Sequence, residues 1–344
     1  MSAPTVSPAV AAAGTQRTPL PPVLGLDVGG TKLAAGVVDG AGRTLSFVVE
    51  PTHSERGPVD TIERLLDLGR RAVEESRVGW PEIAAVGIGC GGPLDAKSGT
   101  VLGPPHLPGW HAIPLAARAE EAYDRPAALE NDATAGAAAE HTYGAGVGTR
   151  DLVYLTLSTG VGGGVITGGR LLRGARGNAG ELGHIRVGGS RRCDGCGREG
   201  CLEAYVSGSS IARRAEEALA ADGASGSSLA SLGRVTAADV AAAARDGDPL
   251  ATAVWDETVE MLGCGLTSIV NAFEPEMVVI GGGVSRTGEQ LLARVRERVR
   301  ADALVPGAAG LEVVTAALGD RVGVVGAAAI VFDGIASGAV PARG

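Results

Sequence analysis

Aromatic side chains are scarce in this 344-residue chain: three Phe, four Tyr and three Trp amount to 3% of it. A core of large rings is therefore excluded. With 45% hydrophobic residues and 55 glycines, packing falls to Ala, Val and Leu and to close backbone approaches. Basic charge is also short. Thirty Lys and Arg face 39 Asp and Glu, a net charge of −9, which argues against a nucleic-acid partner because such binders present a basic face. No apolar run reaches the roughly 18 residues of a membrane helix, so no membrane partner is expected. Residues 1–22 lack a charged start followed by an apolar stretch, and their Pro, Ala, Ser and Thr read as a disordered tail, not a signal peptide. Cysteines are few: Cys90, Cys193, Cys196, Cys201 and Cys264. Three of them fall between residues 193 and 201, which fits metal ligation in a reducing, cytoplasmic setting better than a disulfide framework.

A chain of this length exceeds one hydrophobic core, so two domains are expected. Val23–Val28 reads as a buried strand that turns at Gly29-Gly30 into a second, Lys32–Asp39, with Arg43–Glu50 as a third. Helical spacing runs from Pro58 to Arg77, and further strands are expected at Ile83–Cys90 and Ala127–Glu130. Asp132–Tyr143 is Ala-rich and helical. The pattern then restarts: a strand at Asp151–Ser158, a glycine turn at Gly160–Gly164 and a returning strand at Val165–Thr167. A long helix, Pro249–Phe273, precedes Pro275; a strand, Met277–Ile280, meets three glycines; Arg286–Arg300 and Val322–Ile335 are helical, and Ala221–Leu232 reads as a loop.

Three glycine-rich turns are candidate phosphate sites. In Asp27-Val28-Gly29-Gly30-Thr31-Lys32 the glycines let main-chain N–H groups approach phosphate oxygens, Thr31 adds a donor and Asp27 can hold a metal-bound water. The order Gly-Thr-Lys before a hairpin rules out a P-loop, although a plain hairpin turn remains an alternative. Ser158-Thr159-Gly160-Val161-Gly162-Gly163-Gly164 has more glycines than a turn needs and reads as a phosphate cradle, with structural packing as the other reading. Gly281-Gly282-Gly283 lies between a strand and a helix, where an adenosine can rest on backbone. The segment Gly87-Ile88-Gly89-Cys90-Gly91-Gly92 matches a dinucleotide fingerprint, but Pro93-Leu94-Asp95 follows instead of a helix, so that reading is rejected.

His184 with Cys193, Cys196 and Cys201 reads as the four ligands of a closed tetrahedral zinc site, structural because it leaves no open position for water, with free thiols as the other reading. Glu181 and Glu203 flank this segment, and carboxylates accept hydrogen bonds from hydroxyls, as sugar recognition requires. Solvated surface carboxylates are the alternative.

Together these motifs resemble the ROK (repressor, open reading frame, kinase) family of sugar kinases and sugar-responsive repressors. The marks are Asp27-x-Gly-Gly-Thr-Lys32, Glu130-Asn131-Asp132-Ala133, Ser158–Gly164, Gly180-Glu-Leu-Gly-His184 and the cysteine cluster ending in Glu203. The likeness covers Val23 to Ile335. It implies a two-domain, actin-like (ribonuclease H-like) α/β ATPase fold with a zinc-binding loop: residues 23–133 plus 321–338 as a small domain and 134–320 as a large one, zinc segment 184–201 included. By matching motif, Asp132 is implied as catalytic base. Gly91, Gly92, Asn131, Asp132, Glu181, His184 and Glu203 are implied as sugar contacts. Asp27, Gly29, Gly30, Thr31, Lys32, Ser158, Thr159, Gly160, Gly162 and Gly281–Gly283 would surround ATP and Mg²⁺. His184 would serve both zinc and sugar. The family's usual spacing has one residue between its first two cysteines, whereas two, Asp194 and Gly195, separate Cys193 from Cys196.

The likeness to the family's bacterial glucokinases implies ATP-dependent phosphorylation of the 6-hydroxyl of glucose by a homodimer or homotetramer. N-acetylmannosamine, N-acetylglucosamine, mannose and fructose are alternative acceptors, and polyphosphate is an alternative donor. A repressor is disfavoured by the short, non-basic segment ahead of Val23, too short for a helix-turn-helix module.

Overall fold

In the computed structural model, which describes residues 20–221, 226–304, 308 and 310–341, two five-stranded mixed sheets share one topology. In the first, β1 (Val23–Val28) pairs antiparallel with β2 (Lys32–Val38) through the Gly29-Gly30 hairpin, and β2 pairs with β3 (Val48–Pro51). On its other edge β1 runs parallel to β4 (Val86–Cys90), and β4 parallel to β7 (Ala127–Asn131). A separate two-stranded hairpin joins β5 (Leu94–Asp95) to β6 (Thr100–Val101). The second sheet repeats the plan. There β8 (Leu152–Leu157), β9 (Val161–Thr167) and β10 (Arg170–Leu171) form an antiparallel meander, and β8 continues in parallel to β11 (Met277–Gly281) and β12 (Glu312–Thr315). The parallel strands are buried on both faces, which is why VGIGC and MVVIG read as apolar runs without alternation.

Between the sheets lie α3 (Asp132–Tyr143) and α9 (Val322–Ser337), packed on each other, α9 against β1 and β4 and α3 against β8 and β9. Their facing surfaces are rich in Ala and Gly, so their backbones come unusually close: a methyl placed on Gly326 would sit 2.5 Å from the Ala135 carbonyl oxygen. On the outer side of the first sheet, α1 (Gly57–Ser76) buries Ile62, Leu65, Leu68 and Ala72, with α2 (Leu115–Tyr123) beside it. The second half adds α4 (Glu203–Val206), α5 (Gly208–Ala221), α6 (Ala237–Arg245), α7 (Pro249–Phe273) and α8 (Glu289–Asp302). Asp248 caps α7 by accepting from the Ala251 N–H at 3.1 Å, and Pro249 starts it. Buried Arg214 ties α5 to α7 through the Val254 carbonyl at 2.6 Å and the Glu257 carboxylate at 2.8 Å.

The structure shifts several expected elements. The third strand is confined to Val48–Pro51, because the Asp39 carboxylate holds the Ala41 and Arg43 N–H groups in a turn. Gly162–Gly164 are not a turn but part of β9. The helix expected from Arg286 is interrupted: a 3-10 turn, Val284–Thr287, ends at Gly288 with φ of 60°, and α8 starts anew at Glu289. Within the expected loop, Ser228–Ser231 forms a 3-10 turn and residues 222–225 lie outside the described residues. Of the N-terminal tail, residues 1–19 also lie outside them, whereas Pro22 accepts from the Ala84 N–H at 3.0 Å.

Candidate active site

The parallel strands of both sheets end at one cleft. In the first sheet Val28 pairs with Cys90 and Cys90 with Asn131; in the second Thr156 pairs with Gly281 and Ile280 with Thr315. Ligands of open α/β sheets bind beyond such carboxyl ends, where connections diverge. The cleft is a cavity of about 1140 Å³. Every residue expected to touch sugar or nucleotide borders it: Gly91, Gly92, Asn131, Asp132, Glu181, His184 and Glu203, then Asp27 to Lys32 apart from Val28, Ser158 to Gly160, Gly162 and Gly281 to Gly283.

Asp132 is the first residue of α3, directly after β7. Asn131 caps the helix, its side-chain oxygen accepting from the Ala133 and Thr134 N–H groups at 3.0 and 3.1 Å. The Asp132 carboxylate accepts from the Ala133 N–H at 2.8 Å. Burial pushes its carboxyl above the usual range, with that N–H and nearby His106 pulling the other way. Asp27, at the end of β1, is raised from 3.8 to about 6, first by burial and then by the charge of Asp132, with Lys32 opposing. Two carboxylates thus face one space, and their mutual repulsion favours a cation or a shared proton between them. Behind them Glu130 is 2% exposed and paired with Arg173 at 3.0 Å; burial raises its carboxyl.

Across the cavity stand Glu181, His184 and Glu203. Glu181 is raised by burial, with His184 lowering it and Asp132 and Glu203 adding to the rise. Glu203 opens α4 and accepts from the Val161 N–H at 2.9 Å, which anchors it to β9. Glycines on both sides make room for it: a methyl on Gly160 would lie 2.8 Å from one Glu203 carboxylate oxygen, and on Gly195 2.5 Å from the other.

His184, Cys193, Cys196 and Cys201 converge, their ligand atoms all within 4.8 Å of one another. Cys196 Sγ lies 3.6 Å from Cys201 Sγ, and Cys193 Sγ lies 3.7 Å from His184 Nδ1. The other ring nitrogen, Nε2, faces Glu181 at 4.0 Å. The extra residue between Cys193 and Cys196 is absorbed in a tight turn, in which the Gly197 N–H donates to the Cys193 carbonyl at 2.8 Å. This is a possible metal site that presents one imidazole nitrogen to the thiols and the other to the cavity.

The glycines of β9 have a second physical reason. A methyl on Gly162 would meet Ala133 Cβ at 2.7 Å, and one on Gly164 would meet Ala137 Cβ at 2.6 Å, so they let α3 lie directly on the strand. The reading of this run as a phosphate cradle is thereby narrowed to Ser158, Thr159, Gly160 and Gly162, which border the cavity; Gly163 and Gly164 do not. Sequence reasoning missed His106, Asn178, Arg286 and Asp320, which also border it. His106 had one local signal, its place in the turn-rich Gly103-Pro-Pro-His-Leu-Pro-Gly-Trp110. Arg286 and Asp320 form an ion pair at the edge of the cavity, which no local pattern announces.

A family model described as "ROK family" matches residues 23–333. The chain is 38% identical over 312 residues to a glucokinase of Streptomyces coelicolor, covering 89% of this chain and 96% of that protein. Among solved structures, a ROK hexokinase from Thermus thermophilus is 39% identical, with a TM-score of 0.75 over 92% of this chain and 99% of that one. A ROK family glucokinase from Streptomyces griseus, solved with glucose and AMPPNP, is 36% identical, with a TM-score of 0.79 over 90% and 98%.

Proposed function

This chain belongs to the ROK family, and we propose from that premise that it is an ATP-dependent glucokinase, moving the γ-phosphoryl of ATP to the 6-hydroxyl of glucose. The observation that carries the reading is the placement of Asp132. Its buried carboxyl stands between Glu181, His184 and Glu203 on one side and the glycine hairpins of both sheets on the other.

Phosphoryl transfer asks chiefly for positioning and charge stabilisation. Asn131, Glu181, His184 and Glu203, with the Gly91-Gly92 backbone, would fix the sugar hydroxyls. Asp132 would accept the 6-hydroxyl proton, and a raised carboxyl suits that task near neutral pH. Backbone N–H groups and hydroxyls at Gly29–Thr31 and Ser158–Gly160 would hold the phosphates, and Gly281–Gly283 the adenosine. The Asp27–Asp132 repulsion fits a magnesium ion held by Asp27, largely through water, which when bound neutralises phosphate charge.

The cysteine cluster fits zinc. Bond lengths of about 2.0–2.3 Å in a tetrahedron give ligand separations of roughly 3.5–3.8 Å, and the separations of 3.6 and 3.7 Å agree. Zinc there would be structural, locking the orientation and tautomer of His184 so that Nε2 faces the sugar. The repeated sheet order, with α3 and α9 between the sheets, supports an actin-like division into 23–133 plus 321–338 and 134–320, closing on substrate.

Kinases for other hexoses would use the same groups, so a panel of hexoses assayed with ATP and with polyphosphate in an ADP- or product-coupled assay tests the reading. Glucose with ATP is expected to give the highest kcat/KM. No phosphorylation of any monosaccharide would overturn it. A repressor reading is less well supported, since Asp132 and both glycine hairpins face a single cavity.

A further inference from the structure

His106 stands where the two glycine hairpins meet, and it is not among the residues the family motifs carry. Its loop is fixed from below. Leu107 and Trp110 are buried in the first core, the Leu107 N–H donates to the Pro104 carbonyl at 3.1 Å, and the Trp110 N–H to the Leu107 carbonyl at 3.3 Å. Two tight turns thereby raise residue 106 off the core, and it faces the cavity. A methyl on Gly30 would lie 2.7 Å from His106 Cβ, and one on Gly160 would lie 3.4 Å from His106 Nε2. The imidazole therefore reaches from the β1–β2 hairpin of one sheet to the β8–β9 hairpin of the other, close enough to Asp132 to pull its carboxyl downward. Gly30 also acquires a reason: any side chain there would meet the Cβ and backbone carbonyl of His106 and displace that residue.

The electrostatics of the cavity call for a donor at this place. Asp27, Asp132, Glu181 and Glu203 border it, and a triphosphate adds more negative charge. Lys32 is the one basic side chain on the hairpins themselves. Phosphoryl transfer spreads negative charge over the equatorial oxygens, where a positioned N–H donor is worth more in the transition state than in the ground state.

We propose that His106 is a catalytic donor, placing an imidazole N–H on an oxygen of the phosphoryl group in flight between the two glycine hairpins. The inference rests on the kinase reading above. In the step, the bond from the sugar O6 to phosphorus forms and the bond from phosphorus to the bridging oxygen breaks, with its electron pair leaving on ADP. The O6 proton goes to Asp132, and His106 keeps its own proton throughout.

The test is steady-state kinetics of the full chain and of His106→Ala and His106→Gln, with glucose and ATP varied separately and thermal unfolding recorded for each. His106→Ala is expected to lower kcat about 10- to 100-fold, with the glucose KM within about threefold. His106→Gln, which keeps an N–H of similar reach, should recover a part of the loss, and added imidazole should raise the rate of the Ala variant alone. A His106→Ala kcat within twofold of wild type would overturn the proposal. So would a loss confined to the glucose KM, which would make His106 a sugar contact, or equal loss in both variants with a lowered unfolding temperature and no imidazole rescue, which would make it a packing residue. If the unmodified chain phosphorylates no hexose, it is the kinase reading that has failed, and the two failures are thus told apart.

Discussion

Replacing Asp27 by Asn should make the substrate-free protein more stable while lowering its activity, opposite signs that a general structural lesion cannot produce. The carboxyl is raised from its ordinary 3.8 to about 6. An acid raised on folding binds its proton more tightly in the folded state, so the folded state is best favoured below the unfolded value and loses stability as pH climbs from 3.8 to about 6. At about 1.4 kcal/mol per pH unit, that gap amounts to about 3 kcal/mol above pH 7 and about half as much at pH 5. Asp27 borders a water-accessible cavity, so solvent screening makes this a ceiling. Asn has nearly the same shape and no charge to desolvate, and its presence also relieves Asp132. Urea unfolding of both proteins, free of nucleotide and sugar, at pH 5 and pH 8 measures the difference. The variant should gain at both, more at pH 8, while kcat falls because the cation loses its anchor. A variant less stable than wild type at pH 8, or a gain equal at both pH values, would refute the electrostatic account of the cavity.

Asp132→Asn should cut kcat by about 10²–10⁴-fold with the glucose KM changed by only a few-fold, read by the coupled assay, because a general base acts in the transition state. Stripping the metal with a chelator, or replacing Cys201 by Ser, should weaken glucose binding by calorimetry more than ATP binding, since His184 belongs to the cluster and Glu203 lies two residues after Cys201, while the hairpin Gly29–Thr31 lies apart from it; metal analysis should return one zinc per untreated chain. Glu140, fully buried, accepts from the N–H groups of Ala145, Ala317 and Leu318 at 2.8, 3.1 and 2.9 Å. Glu140→Gln turns one acceptor into a donor facing donors, and should cost about 2–4 kcal/mol by denaturant unfolding and raise the KM for ATP, because neighbouring Thr315, Ala316 and Gly319 border the cavity. Gly164→Ala should destabilise by about 1–3 kcal/mol in denaturant unfolding, its methyl meeting Ala137 Cβ at 2.6 Å and the Ala133 carbonyl oxygen at 2.8 Å; unchanged stability would refute the packing account of that glycine.

The parts of the site most legible in the sequence were those whose physics is local. Residues 132–143 read as a helix because the segment is Ala-rich, and 249–273 because a long helical run ends just ahead of Pro275; both spans hold in the structure, where Asn131 and Asp248 cap them. The cysteine cluster was legible from spacing alone. The glycines of β9 were not, since the reason for them lies in Ala133 and Ala137 on another element, and a window along the chain sees only a turn-like run. The break at Gly288 was hidden for a related reason: apolar spacing continues across it, and only the backbone angle reveals two elements. His106 escaped because its turn-rich surroundings mark a loop but not a site, until folding brings Gly30 and Gly160 to it.

Neither half of the molecule completes the site, and that constrains how the halves work together. The first lines it with Asp27, Asn131 and the Gly91-Gly92 backbone; the second with Glu181, His184, Glu203 and Gly281–Gly283. Two side chains just ahead of Glu181 reach back to the first half. Arg173 pairs with Glu130, next to the capping Asn131, and the Asn178 amide accepts from the Leu94 N–H at 3.3 Å and donates to its carbonyl at 3.0 Å, three residues after Gly91. Glu181 and its neighbours are therefore tied to the end of β7 by short polar links, in addition to the α3–α9 pair whose first residues also border the cavity. Any movement that opens the cleft at the metal loop must break these links or carry β7 and the Gly91–Pro93 backbone with it, so the position of Glu181 and that of Asp132 are mechanically coupled. A kinase that must exclude water until both substrates are seated needs such a coupling, because a sugar bound without its base in place would leave the phosphoryl group open to hydrolysis.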